Sequence, residues 1–418
     1  MRVAKVETKN IDQRHQVNSY WHTNKEHVSN FFDTLIHLFK GRKTRFIAIT
    51  SLILCLIGCS QKDARYIVIH AFNIGERGGG PMGGLLMANN GNLYGTTAFG
   101  GTNHAGTIFK IATSGKETIL YSFKGGTDGF YPEAGLVMGR AGSIYGTTSE
   151  GGASNAGTVF KITLAGKKIK LYDFKGGSDG AVPESRLVMG RNGTLYGTTS
   201  SGGNGNGTVF EITKDGKERI LYRFEGDTNN SDGSAPKAGL VWGRYGNLYG
   251  TTSQGGSDGV GTIFMISPAG KEKVLYSFKG ETDGDFPESP LLMGPSGNFY
   301  GTATGGGTSD SGTIYKITPT GKIRILYNFK SGKYGAIPKG GLIFGRDGNI
   351  FGTTTFGGNG IVFEITPQGS EKIIHTFGDG SNGACPETGL VISRRGNLYG
   401  TTPSGGAHLR GVIFKITT

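Results

Sequence analysis

Apolar and polar residues alternate in short segments along this chain, and glycine or asparagine interrupts the alternation at regular intervals. Ile119, Tyr121 and Phe123 share one side of such a segment, and the same arrangement recurs at residues 220–224. A two-residue period rich in β-branched and aromatic residues predicts strands joined by tight turns. The repeated part of the sequence shows no sustained 3.6-residue period. We therefore predict an all-β protein.

One phrase, Asn-Leu-Tyr-Gly-Thr-Thr at Asn92–Thr97, recurs seven times with small changes. Its central aromatic residue falls at Tyr94, Tyr145, Tyr196, Tyr249, Tyr300, Phe351 and Tyr399, in steps of 48 to 53 residues. Three other strand signals accompany each copy: Gly-Leu-Val-Met-Gly before it, Gly-Thr-Ile-Phe-Lys-Ile after it, and the alternating segment last. Four strands in each of seven such periods predict a seven-bladed β-propeller.

The two ends of the repeated region predict how the ring closes. The last repeat reaches its third strand signal at Val412–Thr417 and has no fourth, whereas one copy of the fourth, Arg65–Phe72, stands alone ahead of the first repeat. An open sheet edge leaves backbone N–H and C=O groups unpaired. We therefore predict that Arg65–Phe72 pairs with Val412–Thr417. A straight solenoid is the alternative, and it would need capping repeats at both ends.

The sequence predicts a leader followed by one large domain. Residues 1–40 form a polar extension that we interpret as a wrongly assigned start; the alternative is a cytosolic extension that is cleaved off with the signal. Residues 41–58 form a signal peptide, and residues 59–64 a short tether. Residues 65–418 form the propeller. Its blades are predicted at about 84–123, 135–174, 186–224, 239–278, 290–329, 341–377 and 389–417, and residues 65–72 complete the last one.

Residues 41–59 resemble the signal of a bacterial lipoprotein. Gly41–Arg45 is basic, and the 13 apolar residues Phe46–Gly58 are too few to span a bilayer, which takes about 20. The segment ends in Leu-Ile-Gly-Cys, which is similar to a lipobox, so we predict that Cys59 is acylated and anchors the protein in the membrane. An ordinary signal peptide is the alternative. Ser60 follows the cysteine where an Asp would favour the inner membrane, and we therefore predict the outer membrane of the cell envelope.

The chain carries a net charge of +13, of which +5 lies in residues 1–59. Lysines recur in the turn between the third and fourth strand signals, and we interpret them as solvated turn residues: Lys116, Lys167, Lys217, Lys271 and Lys322. The alternative is a basic face for nucleic acid or anionic envelope polymers. The sequence has no Arg-rich run with interleaved aromatic residues, so we expect no nucleic-acid binding. Cys385 is the one cysteine after the leader, which excludes a disulfide within the propeller. We expect a monomer.

The loops of a four-stranded blade alternate between the two faces of the ring. Two of the four connections are short hairpins with Asn-Gly or Asp-Gly signals, as at 191–193 and 214–216. The other two, such as 124–133 and 150–157, are longer and share the opposite face. Because loops carry function on a rigid scaffold, we predict that this face binds the ligand. The candidate residues are Asp128, Phe130, Tyr131, Asp179, Asp232, Asp283, Phe286 and Tyr334.

The repeated loop acid has two interpretations. It is an Asx-type turn if each carboxylate caps its own backbone, and a calcium ligand if the loop is a metal site. Residues 227–233 come nearest to a calcium loop, but the glycine falls one place late and Ala238 stands where a bidentate Glu should be. We therefore predict no metal and no cofactor.

A second set of charged residues follows the loop prolines. Two of the seven repeats have lysine where four others have glutamate, which favours surface positions over paired catalytic carboxylates. The residues are Glu133, Glu184, Lys237, Glu288, Lys339 and Glu387. No nucleophile elbow, His-Glu-x-x-His or P-loop occurs. His70 and His375 take the place of Tyr121, so we expect them to be packing residues.

The ordered unit Gly-Leu-Val-x-Gly, Leu-Tyr-Gly-Thr-Thr, Gly-Gly, Gly-Thr-Val-Phe-x-Ile and Leu-Tyr-x-Phe resembles the GloVer tandem repeat over Arg65–Thr418. The resemblance implies a bacterial "choice-of-anchor" surface protein and no particular biochemical activity. We predict a lipid-anchored binding or adhesion module without catalytic activity, with a glycan or protein ligand. The alternative is a propeller enzyme acting on carbohydrate or lactone substrates, which a repeat-breaking cluster of acids and histidines at the ring centre would favour.

Overall fold

The computed structural model describes residues 64–73, 75–226 and 232–417. The predictions for residues 1–63, including the signal peptide and Cys59, and most of the nearest calcium-like loop lie outside these residues. The described part is all β, with 28 strands in seven four-stranded antiparallel sheets arranged as a propeller. Its helical turns are the short 3-10 segments Gly126–Asp128, Arg244–Gly246 and Gly332–Tyr334. Within these ranges no helix is long and apolar enough to cross a membrane.

The seven sheets are blades 1 to 7 in chain order, and each runs from an innermost to an outermost strand. The innermost strands are β2 Leu86–Met87, β6 Val137–Met138, β10 Val188–Met189, β14 Val241–Trp242, β18 Leu292–Met293, β22 Ile343–Phe344 and β26 Val391–Ile392. The second strands are β3 Leu93–Thr97, β7 Ile144–Thr148, β11 Leu195–Thr199, β15 Leu248–Thr252, β19 Phe299–Ala303, β23 Ile350–Thr354 and β27 Leu398–Thr402. The third strands are β4 Thr107–Ile111, β8 Thr158–Ile162, β12 Thr208–Ile212, β16 Thr262–Ile266, β20 Thr313–Ile317, β24 Ile361–Ile365 and β28 Val412–Thr417. The outermost strands are β5 Glu117–Ser122, β9 Lys168–Asp173, β13 Glu218–Arg223, β17 Glu272–Ser277, β21 Ile323–Asn328, β25 Glu371–Thr376 and β1 Arg65–Ala71.

The ring closes as predicted, through the N-terminal strand. β1 pairs antiparallel with β28, with Arg65 opposite Thr417 and Ala71 opposite Val412. The N–H of Phe72 donates to the carbonyl of Gly411 at 3.0 Å and continues the pairing by one residue. Blade 7 therefore takes three strands from the end of the chain and its outermost strand from the beginning, and the solenoid alternative is wrong.

The second strand of a blade is buried on both sides because the blade lies between two neighbours. All five residues of β3 are buried, and the strand holds the small residues that close packing needs. A Cβ atom on Gly95 would lie 2.4 Å from Cζ of Phe109, and one on Gly197 would lie 2.6 Å from Cζ of Phe210. The glycine of the Tyr-Gly-Thr-Thr phrase thus makes room for an aromatic ring of the third strand.

The threonines of the same phrase form buried hydrogen bonds. The hydroxyls of Thr97 and Thr107 lie 2.8 Å apart within blade 1, and Thr97 also accepts the N–H of Thr107. Thr96 donates to the carbonyl of Ala134 in blade 2. The first threonine therefore joins neighbouring blades, and the second joins two strands of one blade.

An aromatic contact links each blade to the next. The phenylalanine that directly follows each outermost strand is fully buried, and it packs against the third-strand aromatic residue of the following blade with ring centroids 5.1 to 5.3 Å apart. The seven pairs are Phe72–Phe109, Phe123–Phe160, Phe174–Phe210, Phe224–Phe264, Phe278–Tyr315, Phe329–Phe363 and Phe377–Phe414. Among the described residues the buried apolar side chains form seven clusters, one at each junction between blades.

We predict that Phe72→Ala destabilises the junction that closes the ring. The substitution removes a fully buried ring from the junction between blades 7 and 1, and we expect it to lower the free energy of unfolding by roughly 3–5 kcal/mol, the usual cost of a Phe→Ala change in a core. Equilibrium unfolding in urea measures the effect. Val68→Ala is the matched control, because Val68 lies on β1, the strand that Phe72 directly follows, and is exposed. Equal losses in the two variants would contradict the assigned role of Phe72.

Candidate functional site

Strand direction gives the ring two different faces. The turns between first and second strands and between third and fourth strands, such as 139–143 and 112–116, form the short-turn face. The connections between second and third strands and between one blade and the next, such as 98–106 and 123–136, form the long-loop face. This is the face on which we predicted ligand binding.

The predicted loop acids on this face are held by the protein itself. Tyr222 donates its hydroxyl proton to Asp232 at 2.8 Å, and the N–H groups of Glu225 and Gly226 donate to the same carboxylate. The arrangement recurs at Tyr121–Asp128, Tyr172–Asp179 and Tyr276–Asp283. Asp179, Asp232 and Asp283 are buried. Each carboxylate thus caps the backbone of its own loop, as in the Asx-type interpretation.

Asp128 is the most accessible of the four acids and has an additional partner. The ammonium group of Lys168 in blade 2 lies 2.8 Å from its carboxylate. Burial raises the pKa of Asp128, but the bonds from Lys168 and from the N–H of Lys124 outweigh burial and leave that pKa below its ordinary value. These bonds fix the connection between blades 1 and 2.

The predicted aromatic residues differ in exposure. Phe286 and Tyr334 are each 41% exposed, whereas Phe130 and Tyr131 are half-buried and pack against each other. Tyr131 also contacts Phe99 edge to face. The role of these residues in ligand binding remains a prediction.

The two histidines are packing residues, as expected. His375 stacks on Tyr66 with ring centroids 3.9 Å apart, and burial lowers the pKa of His375 to about 4. His70 packs edge to face against Phe72.

The charged residues that follow the loop prolines lie around the axis of the ring, whereas the sequence pattern favoured ordinary surface positions. They line a pocket of about 250 Å³ that opens on the long-loop face. One residue from each blade contributes: Met82, Glu133, Glu184, Lys237, Glu288, Lys339 and Glu387. The sequence did contain a signal, because each of these residues lies a few positions ahead of an innermost strand, and seven copies of such a position must meet at the axis.

Ion pairs occupy one side of this axial pocket. Lys237 lies 2.8 Å from Glu288, and Lys339 lies 3.4 Å from Glu387. Glu133 and Glu184 have no ion pair among the described residues. Burial raises the pKa of both carboxyl groups, and the nearby Glu184 raises the pKa of Glu133 further. Charge is therefore distributed unevenly around the pocket, which has an acidic side at blades 2 and 3.

A single arginine breaks the symmetry of the channel wall. The residue before the innermost buried leucine is glycine in five blades and proline in one, but it is Arg186 in blade 3. Its side chain lies beside Gly135. Arg186 remains accessible to solvent although burial lowers its pKa, as expected for a side chain in a narrow open channel. The pocket thus offers a guanidinium group as well as two carboxyl groups.

In each loop, a strained backbone position directs the chain towards the axis of the ring. The residue before each loop proline has a positive φ, for example 58° at Val182 and 57° at Ile337. β-branched residues rarely adopt this conformation, and such strain persists only where the surroundings enforce it. The turn delivers the next charged residue, such as Glu184, to the pocket.

Metal-ligating residues do not cluster in the described part of the chain: it contains no group of three or more His, Cys, Asp or Glu side chains that could hold a metal ion.

A model of the Gloeobacter/Verrucomicrobia repeat family matches residues 59–241 and 246–418. No curated protein matches the sequence. Among solved structures, the extracellular domain of a one-component system from B. thetaiotaomicron is similar, with a TM-score of 0.54 and 11% identity. The similarity covers 84% of this chain and 40% of that chain, so the chain spans well under half of that protein.

Two further structures are similar at lower scores. A gluconolactonase from Xanthomonas campestris has a TM-score of 0.43 and 10% identity, over 86% of this chain and 92% of that one. A structure from Bacteroides uniformis described as a 6-phosphogluconolactonase has a TM-score of 0.49 and 17% identity, over 76% and 88%. At these identities the similarities concern the fold and carry no argument about activity.

Glu272, which lies near the Tyr222–Asp232 pair, predicts a dependence of stability on pH. Glu272 lies near Asp232, its Oε1 atom is buried without a hydrogen-bond partner, and burial followed by the charge of Asp232 raises the pKa of Glu272 to about 7. The folded protein therefore holds this proton more tightly than the unfolded chain, and stability falls as pH rises from about 5 through 7. We expect Glu272→Gln to reduce that fall in urea unfolding between pH 5 and 8.

The control for this experiment is Glu281→Gln, which changes an exposed carboxylate in the connection between blades 4 and 5. It should keep the wild-type pH profile. An unchanged profile in Glu272→Gln would show that Glu272 does not hold its proton at neutral pH.

Proposed function

The chain belongs to the Gloeobacter/Verrucomicrobia repeat family, and from that premise we propose that it is an exported binding or adhesion module of the cell envelope. A lipid on Cys59 anchors it, in the outer membrane. A glycan or protein ligand binds on the long-loop face, at the axial pocket. The module acts as a monomer, without a cofactor and without binding nucleic acid.

The observation that carries this proposal is the ring of charged side chains in the axial pocket. The fold needs apolar contacts between blades, and the aromatic pairs supply them, but packing does not need charge at the axis. Bringing four carboxyl groups, two ammonium groups and a guanidinium group into one partly buried pocket costs desolvation energy. Clusters of this kind are typical of binding sites, where groups of the ligand complete the pairing.

The uneven charge indicates what the ligand presents. Lys237 and Lys339 already pair with Glu288 and Glu387, so the carboxyl groups of Glu133 and Glu184 are the ones left to a ligand. They accept hydrogen bonds from an ammonium or hydroxyl group. Lysine side chains of proteins and the hydroxyl or amino groups of sugars supply such donors. A pocket of about 250 Å³ takes one such group or sugar ring rather than a long segment.

One observation favours the second candidate, a carbohydrate- or lactone-active enzyme. Burial raises the pKa of the Glu133 and Glu184 carboxyl groups, which is the direction that favours a general acid. Against catalysis, these acids occupy the same repeat position as two lysines and belong to a nearly symmetric ring. Incubating the protein with lactones and with glycosides distinguishes the candidates, because turnover that Glu133→Gln abolishes would establish the enzyme.

We predict that the double variant Glu133→Gln, Glu184→Gln weakens ligand binding by at least about tenfold. Glutamine keeps the shape of each side chain and removes the charge that a cationic or hydroxyl donor would pair with. A glycan array containing amino sugars, together with immobilised envelope proteins, identifies the ligand of the full chain, and calorimetry compares the variants. Glu281→Gln is the control on the same face. A ligand that binds the double variant normally would place the site elsewhere.

A separate prediction concerns the anchor. Cys59→Ser removes the thiol that would be acylated, so the variant should leave the membrane fraction and appear in the soluble envelope fraction. Metabolic labelling with a fatty acid provides a direct check. Wild-type protein that incorporates no fatty acid, or a variant that stays membrane-bound, would contradict the lipoprotein interpretation.

A further inference from the structure

A cleft of about 850 Å³ lies on the short-turn face between blades 3 and 4, away from the axial pocket. The turns at 190–191 and 243–246 border it on one side, and residues 267–268 of blade 4 border it on the other. Its walls carry residues that differ from those at the same repeat positions in other blades. The cleft is thus a local departure from a nearly symmetric ring.

The inner wall of the cleft is aromatic. The indole of Trp242 and the ring of Tyr196 contact each other edge to face, with centroids 5.0 Å apart. Trp242 donates its Nε1–H to the carbonyl of Met189 at 3.2 Å, which fixes the orientation of the indole. The other blades have Met, Phe or Ile at the position of Trp242, so the wall is broader here than elsewhere in the ring.

An exposed tyrosine stands at the rim. Tyr245 is 93% exposed and has a φ of 64°, a conformation that is unfavourable for a bulky residue. The other blades place Asn, Ala, Ser, Asp or Arg at this turn position. The fold gains nothing from an aromatic ring in that place, because the ring contacts so little of the protein.

Arginines surround the aromatic wall. Arg191 and Arg244 come from the two turns, and Arg219 rises from the outer strand of blade 3, where its Nε lies 2.8 Å from a carboxylate oxygen of Glu211. The exposed lysines of the third-to-fourth-strand turns lie on the same face, as predicted for solvated turn residues. The cleft therefore combines flat aromatic surface, guanidinium forks and one acceptor carboxylate.

We propose that this cleft binds an acidic sugar, one that carries a carboxylate, sulfate or phosphate group. The C–H face of a sugar ring packs on an aromatic side chain, which supplies a large rigid contact area. An arginine fork binds a carboxylate or phosphate through two parallel hydrogen bonds. The carboxylate of Glu211 accepts hydrogen bonds from sugar hydroxyls. The phosphate groups of a DNA strand have no such donors, so this carboxylate favours a sugar over DNA. The proposal is independent of the axial pocket, which lies on the other face.

Titration of the full chain with tetragalacturonate tests the proposal. The chain has two tryptophans, Trp21 and Trp242, so a Trp21→Phe background makes Trp242 the reporter of the cleft. We expect a saturable change in its fluorescence that weakens as salt is added. In calorimetry, Tyr245→Ala, Trp242→Met and Arg191→Gln should each reduce affinity by about tenfold. Trp242→Met should fold normally, because four other blades have methionine at that position.

The matched control is Arg140→Gln, which changes the same turn position in blade 2, where Met138 takes the place of Trp242. It should leave the affinity unchanged. Neutral cellotetraose should not bind. Three results would overturn the proposal: no saturable binding of tetragalacturonate, an equal loss in Arg140→Gln, or tighter binding of a single-stranded oligonucleotide that depends on the same residues and indicates a nucleic-acid site.

Discussion

The contact between the phenylalanine that follows each outermost strand and the third-strand aromatic side chain of the next blade holds the propeller together. A single blade has two apolar faces and cannot bury either of them alone, so each sheet depends on both neighbours. The dependence runs around the whole circle and returns through Phe72, which directly follows the first strand of the chain and packs on Phe109. Removal of one contact therefore affects a closed structure rather than one end of a stack.

The remaining features follow from that packing. Gly95 and its counterparts are needed because an aromatic ring occupies the space of a side chain. The threonines are needed because two strands and two blades meet where water is excluded, and polar groups in such places require partners. Where a repeat position faces a neighbouring blade, the seven copies are nearly identical. Where it faces the axis or the solvent, as at Arg186 and Tyr245, they differ, and the candidate sites lie at those positions.

The sequence predicted the parts of the fold that depend on local pattern. Strand type, blade number and closure follow from a two-residue period, a repeat of about 50 residues and one displaced strand. The sequence also predicted the Asx-type role of the loop acids. It did not predict the hydrogen bond from Tyr121 to Asp128, because Tyr121 lies seven residues earlier and only the fold of the loop brings the two together. The axial pocket does not follow from the sequence of one repeat, because a charged residue after proline, such as Glu133 or Glu184, resembles an ordinary surface residue there. These residues come together only when the seven blades close into a ring. The exposure of Tyr245 depends on the conformation of its turn.

The pairing of Arg65 with Thr417 also determines where the chain enters and leaves the ring. In the other blades this end of the outer pair is the third-to-fourth-strand turn, as at Ile111 and Glu117, so both ends of the propeller lie at the short-turn face. A segment attached ahead of Arg65 therefore reaches the ring on the side of its exposed turn lysines, and the long loops lie on the opposite side.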